Sequence, residues 1–189
     1  IIAGGATRGG VPDGWPAHVV LDGFTFETPS LAGVYTSASD VIVRNCWFVG
    51  CRLGVSGNGQ ATRTTYYRRC PNRVRVTQCD YTQWPVYEDG VELIAAAGES
   101  GKKLFWHRKH ANEGLPGKRF IYESGIIGWA ALDWEVDHNR IHSVFEAISA
   151  KGGTRSENLR IHDNLFDKLL DNAVEFEDTA QNLSFYRNV

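Results

Sequence analysis

The chain has 189 residues, 42% of them hydrophobic and 22% charged, with 6 Trp, 7 Tyr, 9 Phe, 20 Gly, 4 Cys and no Met. That aromatic content excludes an intrinsically disordered chain, and no apolar run approaches the ~20 residues of a membrane span. The formal net charge of −2 conceals an asymmetry: residues 61–119 hold eleven Lys/Arg against six Asp/Glu, and residues 131–189 hold eleven acids against six bases.

In chain order, the opening Ile1-Ile2-Ala3-Gly4-Gly5 has neither an initiator Met nor the basic and apolar regions of a signal peptide, which marks a processed protein or part of one. A repeat then begins. VVLDGFTF (19–26) aligns with VIVRNCWF (41–48), VRVTQCDY (74–81), WEVDHNRI (134–141), LRIHDNLF (159–166) and LSFYRN (183–188). Each has two apolar residues two apart, then Phe, Cys or Asn three further on. Alternation of period two predicts strands with the apolar members facing one core.

A second element follows each complete unit: GVY (33–35), GVS (54–56), GVEL (90–93), GII (125–127), AIS (147–149) and AVEF (173–176). A small residue before a β-branched one predicts a tight corner entering another short strand. The many glycines are accordingly expected to mark coil corners. The fourth unit has no clean first strand, and LFW (104–106) is placed there. Loop insertions are expected at about 57–72, 82–88 and 107–119.

A basic period of 22–25 residues with high strand content predicts an all-β parallel β-helix solenoid of about six to seven coils, forming a single domain over 1–189. The Leu ladder and helical return of a leucine-rich repeat are missing, and a propeller blade needs ~40–45 residues. Coils stack about 4.8 Å apart, so equivalent side chains form columns. The core column is Val19/Leu21, Val41/Val43, Val74/Val76, Trp134/Val136, Leu159/Ile161 and Leu183/Phe185. The turn column is Phe24, Cys46, Cys79, Asn139, Asn164 and Asn188, whose amides can hydrogen-bond along the stack. The last unit stops before its second strand, so the chain is expected to be a segment of a longer helix, with further coils or another subunit covering the open C-terminal end.

The segment Asn158 to Phe166, followed by Asp171-Asn172-Ala173-Val174-Glu175-Phe176 and the matching Asn182-Leu183, resembles the repeat of right-handed parallel β-helix proteins of the pectate-lyase-like superfamily. The resemblance covers about residues 19–189. It implies a right-handed helix and a secreted, periplasmic or cell-surface location. Members include lyases, glycoside hydrolases, epimerases, tailspikes and non-catalytic adhesins, so the fold alone selects no activity.

Cys46 and Cys79 share a column at a spacing a disulfide tolerates, and stacked free thiols fit equally. Cys51 and Cys70 flank the first insertion and could bridge it. No cysteine or histidine spacing calls for structural zinc, and no cofactor is required, though Ca²⁺ on exposed carboxylates is compatible with the composition. By the alignment Asp137 stacks under His162 and His138 under Asp163. Such pairs suit either acid–base chemistry or a charge ladder that holds coils in register.

The candidate catalytic carboxylates are Asp89, Glu92, Glu146, Asp171 and Glu175. Glu92 and Glu175 are alignment equivalents three coils apart, too far for a glycosidase pair. Glu146 lies one coil below the Asp171–Glu175 segment, where two carboxylates could serve as proton donor and base or nucleophile. A β-elimination would instead need a base and a cation beside a uronate, which His107, Arg108 and Lys109 could supply. Trp84, Tyr87 and Trp129 are candidate sugar-stacking platforms. The expected partner is an extracellular polysaccharide, cleaved by hydrolysis or β-elimination. The rival expectation is a non-catalytic adhesin or assembly component. The basic patches lack the aromatic interleaving of a nucleic-acid module, so nucleic acid is not the expected partner.

Overall fold

The computed structural model describes residues 2–3, 18–27, 32–36, 38–51, 53–57, 72–83, 125–128, 131–150, 155–169, 171–176 and 179–189. Among them there are strands and turns but no helix. Strand β1 (Ile2–Ala3) comes first, followed by β2 (Val19–Asp22), β3 (Thr25–Glu27) and β4 (Ala32–Thr36). The next sets are β5 (Val41–Arg44), β6 (Trp47–Val49) and β7 (Leu53–Gly57), then β8 (Val74–Thr77), β9 (Asp80–Thr82) and β10 (Ile126–Gly128). They are succeeded by β11 (Glu135–Asp137), β12 (Arg140–Val144) and β13 (Ile148–Ala150), then β14 (Arg155–His162), β15 (Leu165–Leu169) and β16 (Val174–Phe176), and finally β17 (Thr179–Tyr186).

Like members of successive sets pair in parallel. The leading sheet is β2-β5-β8-β11-β14-β17, the middle sheet β3-β6-β9-β12-β15 and the closing sheet β1-β4-β7-β10-β13-β16. Three parallel sheets stacked this way fit a parallel β-helix solenoid. The register of the leading sheet reproduces the expected core column: Leu21, Val43, Val76, Val136, Ile161 and Phe185 are successive partners. Val43, Val76, Val136 and Ile161 are buried, whereas Leu183 and Phe185 on β17 are exposed. The middle sheet adds a second inward column of Phe26, Phe48, Tyr81, Ile141 and Phe166.

The strand assignment differs from expectation in the third and fourth units. β8 pairs with β5 on one side and with β11 on the other, so no rung separates Val74–Thr77 from Glu135–Asp137. The LFW segment placed as a fourth unit lies outside the described residues and is not the rung after β8. Likewise β10, the GII segment, pairs directly with β7, where the alignment had set GVEL between them. The register partner of Glu175 is Ile127 two coils earlier and Ser56 three coils earlier, which is the place the alignment gave to Glu92.

The corners also depart from expectation. Only Gly23 and Gly50 among the described glycines have positive φ, whereas fourteen other residues do. One column just before the first core residue of each leading rung holds His18, Asp40, Arg73, Asp133, Asn158 and Asn182, the last two inside β14 and β17; another just after the leading strands holds Asn45, Gln78, His138, Asp163 and Arg187. The left-handed conformation costs energy for such residues. It turns their N–H groups toward the next coil, as in Asp40 N–H to Asn72 O (2.9 Å) and Asp133 N–H to Glu157 O (2.9 Å). Gly33, Gly54 and Gly125 are small for a different reason: a Cβ would stand 2.5 Å from the Phe48 ring at Gly33, and 2.9 and 2.5 Å from the Tyr81 ring at Gly54 and Gly125.

The turn column forms the amide ladder its residues suggested. The Asn139 Oδ1 accepts the Cys79 N–H at 2.9 Å, Asn164 Oδ1 accepts the Asn139 N–H at 3.0 Å, and Asn188 Oδ1 accepts the Asn164 N–H at 3.0 Å. Each Nδ2 donates onward, from Asn139 to Asn164 and from Asn164 to Asn188. This column satisfies backbone donors at a buried corner where unpaired groups would be costly.

Candidate active site

The corner between the middle and closing sheets brings three acids together. The segment leading into β13 stacks on the segment leading into β16: Asp171 N–H donates to Phe145 O (2.9 Å) and Ala147 N–H to Asn172 O (3.1 Å). The strands then continue in register, with Ile148 on Val174 and Ser149 on Glu175. Gln83 Oε1, from the coil before, accepts the Phe145 N–H at 2.9 Å and fixes the turn from below. As a result Glu146, Asp171 and Glu175 each place a carboxylate oxygen within 4.8 Å of the others. Glu146 is buried at 2% exposure, Asp171 and Glu175 are half-buried, and Asn172 Nδ2 donates to Glu175 Oε2 at 3.2 Å.

This arrangement has two chemical uses. Two carboxyl groups about 5–5.5 Å apart are the spacing of a retaining glycosidase, and the cluster is closer to that than to the ~6.5–9.5 Å of an inverting one. Three hard oxygen donors also suit Ca²⁺, because ligands at ~2.4 Å on opposite sides of the ion stand about 4.8 Å apart. Of the sequence candidates, Glu146, Asp171 and Glu175 are thus gathered. Asp89, Glu92, Trp84, Tyr87, His107, Arg108, Lys109 and Trp129 lie outside the described residues.

Of the eleven basic residues in 61–119, Arg73 and Arg75 are described, and both are engaged in the stack. Arg73 Nη2 donates to Asp40 Oδ2 at 2.7 Å, and Arg75 makes a bidentate pair with Asp137 at 2.9 Å. Asp137 is fully buried and also accepts from Thr77 Oγ1 at 2.9 Å and meets His138 Nδ1 at 2.7 Å. Burial would raise its pKa, but the bonds from Arg75, His138 and Thr77 prevail and bring it down to about 2.

The histidines meet acids across coils, but not the partners the alignment suggested. Although Asp137 and His162 are register partners, His162 sets Nδ1 against Asp163 (2.8 Å) and Nε2 against Glu135 (3.0 Å). His138 meets Asp137, its own neighbour, in place of Asp163. His142 is wired differently: Nε2 lies 2.9 Å from Asp80 Oδ1 and Nδ1 lies 3.4 Å from Ser143 Oγ. Asp80 and Ser143 carry no motif and were not sequence candidates. The positive φ of 51° that turns Ser143 out of strand geometry has no signature in the residue itself.

Cys46, Cys51 and Cys79 are buried free thiols. Cys46 Sγ donates to Arg44 O at 3.1 Å and Cys79 Sγ to Thr77 O at 3.3 Å, so the shared column holds two separate thiols and no bridge. Burial pushes the Cys51 and Cys79 thiols up to about 12, which makes them poor nucleophiles. No helix among the described residues is long and apolar enough to cross a membrane.

No protein-family model matches this chain, and comparison with curated proteins and with solved structures gives no match.

Proposed function

We propose that this protein is a carbohydrate-active, right-handed parallel β-helix of the pectate-lyase-like kind that binds an extended polysaccharide beside its closing sheet and hydrolyses it with Glu146, Asp171 and Glu175. The observation that carries the reading is the approach of these carboxylates from two adjacent coils to within 4.8 Å. One carboxyl protonates the leaving glycosidic oxygen, and a second attacks the anomeric carbon; water then releases the glycosyl group with the first acting as base. Asn172, bonded to Glu175, orients the second group. Such a substrate places the protein outside the cytoplasm, as a secreted, periplasmic or surface component.

The test is incubation with a panel of neutral and uronic-acid polysaccharides, following both reducing ends and the absorbance of unsaturated products. Hydrolysis predicts reducing ends without unsaturated products, and a loss of about 100-fold or more in Glu146→Gln and Asp171→Asn. Unsaturated products would support elimination, and His107 or Lys109 substitutions would then be the ones to abolish it. A panel with no cleavage at all, beside active controls, would overturn the enzymatic reading.

The same cluster favours a second reading, in which the three carboxylates hold Ca²⁺ and the stack binds an acidic polysaccharide without cutting it. Calorimetric titration with CaCl₂ separates the two: saturable binding lost in Glu175→Gln, with no cleavage, supports the adhesin-like role.

A further inference from the structure

The outer face of the middle sheet carries a second group of polar residues that the carboxylate cluster does not use. Asp80 on β9 is in register with Arg140 on β12, and Thr82 with His142. His142 therefore lies one rung above and two positions along from Asp80, and its Nε2 reaches Asp80 Oδ1 at 2.9 Å. Successive strand residues normally point to opposite faces. Ser143 does not follow that rule, because its φ of 51° redirects the side chain and sets Oγ 3.4 Å from His142 Nδ1. His142 and Asp80 are partly open to solvent, at 19% and 30% side-chain exposure.

His162 and His142 differ in what their two ring nitrogens meet. Both nitrogens of His162 are engaged by carboxylate oxygens, so neither faces a nucleophile. His142 is bonded to a carboxylate through one nitrogen only, with Asp167 as its register partner on the following coil. In the tautomer that donates Nε2–H to Asp80, Nδ1 is the nitrogen that can accept the Ser143 hydroxyl proton. Nucleophile, base and orienting carboxylate are thus in series. A nucleophile-to-base contact of 3.4 Å is of the loose kind found before substrate arrives.

We propose that Ser143, His142 and Asp80 form a relay that hydrolyses acyl esters, with O-acylated saccharides as the substrate class. Ser143 Oγ bonds to the ester carbonyl carbon while its proton passes to His142 Nδ1 and the carbonyl π pair moves onto oxygen. Collapse of the tetrahedral species breaks the bond to the alkoxy oxygen, which takes the proton from Nδ1 and leaves as the alcohol. Water then adds to the acyl-serine, giving its proton to Nδ1. The second collapse frees the carboxylic acid and returns that proton to Ser143. Lys168 lies between the register partners of His142 and Val144 on the following coil, and its ammonium would serve as the cation for the oxyanion. The saccharide assignment comes from Trp47, which is 51% exposed and in register with Asp80 one coil earlier. Its indole offers a flat apolar platform beside the relay, with a polar edge.

The test uses the whole chain and two probes that contain no glycosidic bond, so its outcome is separate from that of the carboxylate cluster. A fluorophosphonate should label Ser143, read by peptide mass spectrometry, and p-nitrophenyl acetate should be hydrolysed above the buffer rate. Ser143→Gly suits the left-handed backbone and removes the whole hydroxymethyl side chain with its nucleophile. Its melting temperature should stay near that of the parent while hydrolysis falls about 100-fold or more. Asp80 is a positioning residue: Asp80→Asn should lower kcat with KM little changed, and Asp80→Glu should recover part of the loss. Trp47→Ala should raise KM for an acetylated polysaccharide while leaving p-nitrophenyl acetate turnover unchanged. Absence of label on Ser143, or parent hydrolysis no faster than Ser143→Gly, overturns the relay. A kcat unaffected by Asp80→Asn removes Asp80 from it, and a KM unaffected by Trp47→Ala overturns the saccharide assignment.

Discussion

Tyr81 sets the composition of the column beside it. Its ring is fully buried, its hydroxyl donates to Cys51 O at 3.1 Å, and its edges lie where a Cβ on Gly54 or Gly125 would stand. One coil later the middle-sheet residue is Ile141 and the facing position is Ala147, so the smaller side chain accompanies the larger corner residue. Gly54→Ala should therefore cost about 1–3 kcal/mol through overpacking. In a Tyr81→Ile background the same substitution should cost much less, because its closest neighbour has gone. A double-mutant cycle from urea unfolding measures that coupling, and additive costs would refute it. The thiols give a second expectation at this scale. Cys46, Cys51 and Cys79 should react with a thiol reagent only after unfolding, and prior treatment with dithiothreitol should leave the melting temperature unchanged. The glycine column was legible in the sequence but its cause was not, since the Phe48 and Tyr81 rings reach it only through the fold. The left-handed corners were hidden for a related reason: Arg73, Gln78, Lys168 and Arg187 have no intrinsic preference for that conformation, which the bonds between coils impose.

At the scale of strands and turns, the alignment read the stack well where the period was short. The leading-sheet partners follow from it because alternation identifies which residues face inward. It failed where a long segment, residues 84–124, separates β9 from β10. LFW and GVEL are apolar enough to imitate a leading and a closing strand, and local alternation carries no information about which strand bonds to which. Only the pairing of β8 with β11 and of β7 with β10 decides that. The Asn ladder was legible because identical residues recur at one repeat position and their amides have few other uses in a buried turn. Asn164 is its central member: Oδ1 accepts both the Asn139 N–H and the Asn139 Nδ2–H at 3.0 Å. Asn164→Ala leaves those two buried donors without an acceptor and should cost about 2–4 kcal/mol. Asn188→Ala, at a half-buried position, should cost less. Equal losses at the two positions would show that the ladder does not depend on burial.

Across the whole molecule, the repeat period located the carboxylate cluster but not the chemistry around it. Glu146 and the Asp171–Glu175 segment come together because adjacent coils are one strand spacing apart, a consequence readable from alignment alone. The relay at Ser143 depends on one backbone angle and was not readable. The charged residues between coils form a further property of the stack as a whole, and it makes the fold sensitive to acid. Asp163 is held well below the usual carboxylate range by Arg187 and then His162, Asp40 is lowered by Arg73, and Asp22 by Asn45 and Arg44. Burial opposes the shift at Glu135 and Asp137, but Arg160 and His162 still lower the first, and Arg75, His138 and Thr77 bring the second to about 2. Each folded value lies below the unfolded one of about 3.9–4.3, so the unfolded chain binds more protons in that interval. The stabilisation is therefore complete above about pH 5 and is lost as pH falls through 4 toward 2. Exposed pairs such as Asp22–Arg44 contribute little and are screened by salt. Asp137, with no side-chain exposure, is the main source of the acid limb that salt does not remove. Thermal melts from pH 7 to pH 2 should show a falling melting temperature below pH 5, only partly weakened in 1 M NaCl. Asp137→Asn should start from a lower melting temperature at pH 7 and decline less steeply, whereas Asp22→Asn should follow the parent curve. An Asp137→Asn curve parallel to the parent would place the acid sensitivity elsewhere in the stack.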